Sequence, residues 1–106
     1  MTSGEFVAEV LAIVAQVPAI VAQVPAGRVV TYGRLARLAG MSRHARLAGR
    51  AVASAPAGLP CHRVVDASGR TAPGWPGQRA LLEAEGVPFR ADGRVDLKRA
   101  LWEELG

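Results

Sequence analysis

One cysteine, Cys61, stands beside a histidine and an arginine in the stretch GLPCHRVVDASG, residues 58–69. A thiol next to an imidazole can do nucleophilic chemistry, because thiolate is the attacking species and a nearby base favours it. Two other uses compete. Free cysteine commonly serves as a small packed apolar group, and cysteine with histidine can hold a metal. The metal use fails on spacing. Cys61 adjoins His62, and His44 lies on another element, so the one cysteine and two histidines do not make a structural zinc set. If residues 61–65 form a strand, adjacent side chains point to opposite faces, so Cys61 and His62 cannot both enter one core. A buried His62 also needs a polar partner. Residue types and spacing leave a packed thiol and a nucleophile both open. A lone cysteine excludes an internal disulfide.

The charge pattern points toward a polyanion. Residues 1–25 carry Glu5 and Glu9 and no base. Residues 26–70 carry Arg28, Arg34, Arg37, Arg43, Arg46, Arg50, Arg63 and Arg70 against Asp66 alone. The rest is near balance, and the whole chain is +4. A cationic middle between near-neutral flanks fits a nucleic-acid-binding face. All but one of the basic residues are arginine, whose planar fork suits phosphate and base edges. High-GC codon usage explains the scarcity of lysine but not the clustering. No apolar run reaches the roughly 20 residues of a membrane span. The N-terminus MTSGEFVAEV is acidic where a secretory leader is basic, which reads as cytoplasmic. The 106 residues suit one domain with a modest core.

These residues need elements to position them. Residues 12–25 are a tandem heptad, AIVAQVP twice, which reads as a neutral local duplication. A helix is expected from about Thr2 or Ser3 to Val17, with Pro18 ending or kinking it and 19–24 forming a turn or extended run. Arg28–Val30 is a short β-prone stretch. Thr31 caps a helix over Tyr32–Ala39 closed by Gly40, and Ser42 caps a second helix to about Ser54, a helix-turn-helix over about 31–54. Small residues in the second helix (Ala45, Ala48, Gly49, Ala51 and Ala53) allow close approach to a surface, and Arg43, Arg46 and Arg50 make DNA a plausible one. Beyond it we expect a loop at 55–60, a strand over Cys61–Val65, a turn at 66–70 and an irregular stretch at 71–77. A helix over Gln78–Glu85 capped by Gly86, a hairpin turning at Asp92-Gly93 and a last helix over Lys98–Leu105 follow.

With these residues in place, PCHRVV (60–65) resembles the active-site motif of the O6-alkylguanine-DNA alkyltransferases. VPAGRVVTYGRLARLAG (24–40), ARLAGRAVASAP (45–56) and LLEAEG (81–86) resemble further segments of that family in the same order. The resemblance implies a mainly α fold with a small β-hairpin wing, a single winged helix-turn-helix domain of the alkyltransferase C-terminal type. It implies duplex DNA bearing O6-alkylguanine as partner, minor-groove binding and flipping of the damaged base, since chemistry on a stacked base is sterically blocked. Carried over, Cys61 is the nucleophile, His62 deprotonates it through a water, and Glu85 orients His62. Tyr32, between Thr31 and Gly33, turns the phosphate of the flipped nucleotide. Arg46 fills the vacated stack, Arg43, Ala48, Gly49 and Arg50 belong to the DNA-facing helix, and Arg63 supports the site. A stable thioether would form once, with no cofactor and no metal, on a protein expected to be a monomer.

The chain also departs from that pattern. TAPGWPGQ stands where the enzymes have a Gly/Ser-rich loop with Tyr and a downstream Lys, and the enzymes' extra N-terminal domain has no expected counterpart. GQRALLEAEGV and GRVDLKRALW are similar to the alkyltransferase-like proteins, which bind the lesion without transferring the alkyl group and mark it for nucleotide excision repair proteins. Three functions therefore stand: a single-turnover alkyltransferase, a lesion sensor, and a plain helix-turn-helix regulator with an incidental thiol.

Overall fold

A computed structural model describes residues 15–40 and 45–103. The chain divides into two compact units. Among the described residues, the first takes 15–23, 32–40 and 45–61, and the second takes Val24–Thr31 and 62–103.

In the first unit, helix α1 runs over 15–21, so the chain stays helical through Pro18. Of the two outcomes expected at Pro18, an end or a kink, the helix does not end there. Proline removes its own donor, but its carbonyl still accepts the Ala22 N–H at 3.0 Å. Val17 and Val21, one turn apart, are both fully buried. Burying such a pair gives about 1.5–3 kcal/mol per side chain, against a proline cost of about 3 kcal/mol. The expected segment from Thr2 to Val14 lies outside the described residues, as do Ser42 and Arg43.

Helix α2, Tyr32–Leu38, buries Leu35 and Ala36 and ends at Gly40, whose φ of +83° is the left-handed stop that a residue without Cβ adopts freely. Helix α3, Ala45–Ala53, packs on α2 and buries Ala48, Ala51 and Val52. Ser54 closes it with both its N–H and its hydroxyl on the Arg50 carbonyl.

The second unit holds a two-residue parallel pair. Strand β1, Val30–Thr31, aligns with β2, Val64–Val65, in the register Val30↔Val64 and Thr31↔Val65. Helix α4, Gln78–Ala84, ends on Glu85, with Gly86 and Val87 donating back to the Glu83 and Leu82 carbonyls. That pair of bonds is the Schellman stop expected for a glycine at this position. The stretch 89–95 turns back on itself, with Phe89 bridged to Val95 and Gly93 in the turn. The last helix is shorter than expected: α5 is Leu97–Ala100 only. Leu101 bridges to Val29 and the Trp102 N–H donates to the Val29 carbonyl at 2.7 Å, so a strand-like partner captures residues that helix propensity alone would extend. Val29, Val65, Leu82, Val87, Val95 and Ala100 form the core, with Phe89 and Leu97 packed against it.

Candidate functional site

The expected strand over Cys61–Val65 is another correction. Cys61–Arg63 form a 3-10 turn and only Val64–Val65 are extended. The strand alternation that set Cys61 and His62 on opposite faces therefore does not hold. Within this turn the Cys61 N–H donates to the Leu59 carbonyl at 2.8 Å. The Cys61 thiol lies 3.7 Å from the Val52 carbonyl as a weak donor, and burial pushes its pKa up.

His62 and Arg63 converge on one carboxylate. His62 Nε2 lies 2.9 Å from Glu85 Oε2. Arg63 Nε donates to both Glu85 oxygens at 3.0 and 3.2 Å, and a terminal nitrogen donates to Oε2 at 2.6 Å. The other terminal nitrogen donates to the Val24 carbonyl at 2.8 Å. Arg63 first, with His62 adding to it, holds the Glu85 carboxyl down at about 2, against the opposing effect of burial. The same contact pushes the Arg63 guanidinium up. An ionised carboxylate only accepts, so the His62 nitrogen facing it carries hydrogen. In neutral His62 this leaves Nδ1 as the ring nitrogen able to take a proton. Gly27, in the PAG segment, lies where an added Cβ would come within 3.3 Å of the Glu85 carbonyl, at a φ of +87°.

Sequence reasoning named His62, Arg63 and Glu85 as candidates but gave no role to Gln78, the last residue of TAPGWPGQ and the expected start of a helix. Gln78 is 1% exposed, and its amide bonds to the His62, Val64 and Ala72 backbone. A polar residue at the first position of an amphipathic helix gives no sequence signal that it turns inward.

The cationic candidates fall largely in the first unit. On α3, Arg46, Arg50 and Ala53 are exposed along one side while Ala48, Ala51 and Val52 are buried on the other, the split that a 3.6-residue period produces. Ala48 is fully buried, which corrects its assignment as a DNA contact: it has no surface to offer a groove. Gly49 flanks the arginine side, and an added Cβ there would meet the Tyr32 ring at 3.7 Å. Gly33 is exposed, and Thr31 and Tyr32 are half-buried. Arg34, Arg37, Arg46 and Arg50 are the charged side chains of this unit among the described residues, with no acid between them. Among the described residues no three His, Cys, Asp or Glu side chains are grouped to hold a metal, and no helix is long and apolar enough to cross a membrane.

A mainly helical fold with a small sheet and an arginine-faced second helix defines a DNA-binding domain of the alkyltransferase type. The chain belongs to the 6-O-methylguanine DNA methyltransferase family, whose DNA binding domain matches residues 6–87. It is 46% identical over 81 residues to the DNA base-flipping protein of Escherichia coli K12, a match covering 72% of this chain and 63% of that protein. The DNA base-flipping protein of Vibrio parahaemolyticus is 34% identical over 82 residues, covering 73% of this chain and 82% of its own. S. pombe Atl1 in complex with damaged DNA containing O6-carboxymethylguanine superposes with a TM-score of 0.76 at 29% identity, over 97% of this chain and 99% of that one. Mycobacterium tuberculosis OGT in complex with DNA gives 0.56 at 31% identity, over 87% of this chain and 51% of that one. This chain thus spans less than two thirds of the E. coli protein and about half of OGT.

Proposed function

We propose that the protein reads O6-alkylguanine in duplex DNA, turns the base out through the minor groove and moves its alkyl group to Cys61 in a single turnover. The pairing of His62 Nε2 with Glu85 at 2.9 Å, on the turn that Cys61 begins, carries this reading. With Nε2 committed to Glu85, neutral His62 keeps Nδ1 to accept the thiol proton through a water. The thiolate sulfur attacks the alkyl carbon, and the S–C bond forms as the O6–C bond breaks. One proton passes from thiol to guanine and one alkyl group from guanine to sulfur, so the exchange closes without a metal or cofactor. Arg46 and Arg50 face the backbone and the vacated stack, and Tyr32 turns the phosphate.

A second reading rests on a different observation. The Cys61 thiol is occupied with the Val52 carbonyl and its pKa is raised, which suits a packed thiol in a sensor that marks the lesion for excision repair proteins. The likeness to Atl1 over nearly the whole of both chains supports it as well. Intact mass after incubation with duplex DNA containing one O6-methylguanine separates the two. Transfer adds one methyl group, and the gain vanishes in Cys61→Ser. An unchanged mass with tight lesion binding establishes the sensor. Equal affinity for damaged and undamaged duplex of one sequence sinks both and leaves a plain DNA-binding regulator.

A further inference from the structure

The buried Gln78 amide has both of its N–H donors and its oxygen paired, and their targets are specific. Its side-chain nitrogen donates to the His62 carbonyl at 3.0 Å and to the Val64 carbonyl at 2.8 Å. Its oxygen accepts the Ala72 N–H at 2.7 Å, and its own N–H donates to the Trp75 carbonyl at 3.1 Å. The two accepting carbonyls flank Arg63 in the chain. Glu85, at the other end of the same helix, takes the side chains of His62 and Arg63. Helix α4 therefore grips the segment 62–64 twice, through backbone at its first residue and through side chains at its C-cap, about 10 Å apart at 1.5 Å rise per residue. The two grips do different things. Glu85 fixes where the tips of the imidazole and guanidinium end, while Gln78 fixes the peptides from which they start. A long side chain tethered only at its tip keeps several rotamers.

We infer that Gln78 is a positioning residue for His62 and Arg63: by holding the carbonyls on either side of Arg63, it sets both side chains at bonding distance from Glu85. An amide of this length meets the need because it donates twice and accepts once. Ionised glutamate only accepts, and methionine offers no N–H. The consequence for lesion chemistry rests on the function proposed above; the positioning itself does not.

The test reads the free protein. In 15N-histidine-labelled protein at pH 8, the imidazole nitrogen shifts of His62 report its tautomer. In the parent the Nε2–H form dominates. In Gln78→Met the minor tautomer rises about tenfold, the change that loss of one well-made buried hydrogen bond produces. Gln78→Asn keeps the amide but shortens its reach by one methylene, gives the same change, and serves if the methionine variant does not fold. Val95→Ala trims the core of the same unit and leaves the tautomer alone at a comparable loss of thermal stability. An unchanged tautomer in the Gln78 variants, or an equal shift in Val95→Ala, overturns the inference. Absence of lesion preference in the parent sinks the functional reading instead and leaves the tautomer result standing.

Discussion

Removing the charge of Glu85 tests the centre of the site through stability. The carboxylate takes one contact from His62 and three from Arg63, and its side chain is 17% exposed. These hold its pKa at about 2 against an ordinary value of 4.5. At 1.36 kcal/mol per pH unit the drop corresponds to about 3 kcal/mol of stability. The folded pKa is depressed, so this stability is fully present above pH 4.5 and is lost as the pH falls through about 2. Urea unfolding followed by far-UV circular dichroism, at pH 6, 4, 3 and 2, measures it in the parent and in Glu85→Gln. At pH 6 the variant should be less stable by about 3 kcal/mol, because Arg63 is left half-buried without its counter-charge. The gap should close by about that amount between pH 6 and 2. The pKa values of Asp66 and Asp92 are lowered too, but both residues are common to the two proteins and cancel in the difference. A gap that stays constant from pH 6 to 2 would refute the reasoning, since Glu85 would then titrate alike folded and unfolded.

Other substitutions probe the frame around it. At Gly69, φ is +87° and an added Cβ would lie 2.5 Å from the Val95 carbonyl oxygen, so Gly69→Ala should cost about 3 kcal/mol and lower the melting temperature by roughly 10–20 °C. A melting curve unchanged by that substitution would show that the Gly69–Val95 approach is not tight. Arg46→Ala and Arg50→Ala should each weaken binding to duplex DNA and flatten the slope of log affinity against log salt by about 0.9, with the melting temperature kept because both side chains are exposed. A slope that does not change removes the α3 arginines from the phosphate interface. The Cys61 thiol, whose pKa is raised by burial, should react with iodoacetamide along a pH profile displaced above that of free cysteine. A profile at or below free cysteine would mean that the thiol is activated before DNA arrives.

Stops and turns were legible in the sequence because each depends on one or two residues. Gly40 and Gly86 end helices by adopting the left-handed conformation, and Gly93, after Asp92, turns the 89–95 stretch. Arg46 and Arg50, four residues apart, share one exposed side of α3, as their spacing requires. His62, Arg63 and Glu85 are legible as site candidates through the family resemblance that the short motifs carry in their order along the chain.

What local spacing could not supply was decided by partners far away in the chain. α1 continues through Pro18 because Val17 and Val21 find a core to fill. Leu101 and Trp102 leave the helix because Val29, some seventy residues earlier, offers both a donor and an acceptor. Ala48 turns inward because α3 lies against α2. Residues 61–63 form a turn and not a strand where Gln78 holds the carbonyls of His62 and Val64 and Glu85 takes the side chains between them. By itself the sequence determined the chemical groups, the helix ends and the sign of the surface, since these follow from side-chain type and from neighbours within a turn or two. Which groups meet, and at what distance, was left to tertiary structure, because burial and hydrogen bonding across tens of residues outweigh local preferences worth only about 1 kcal/mol each.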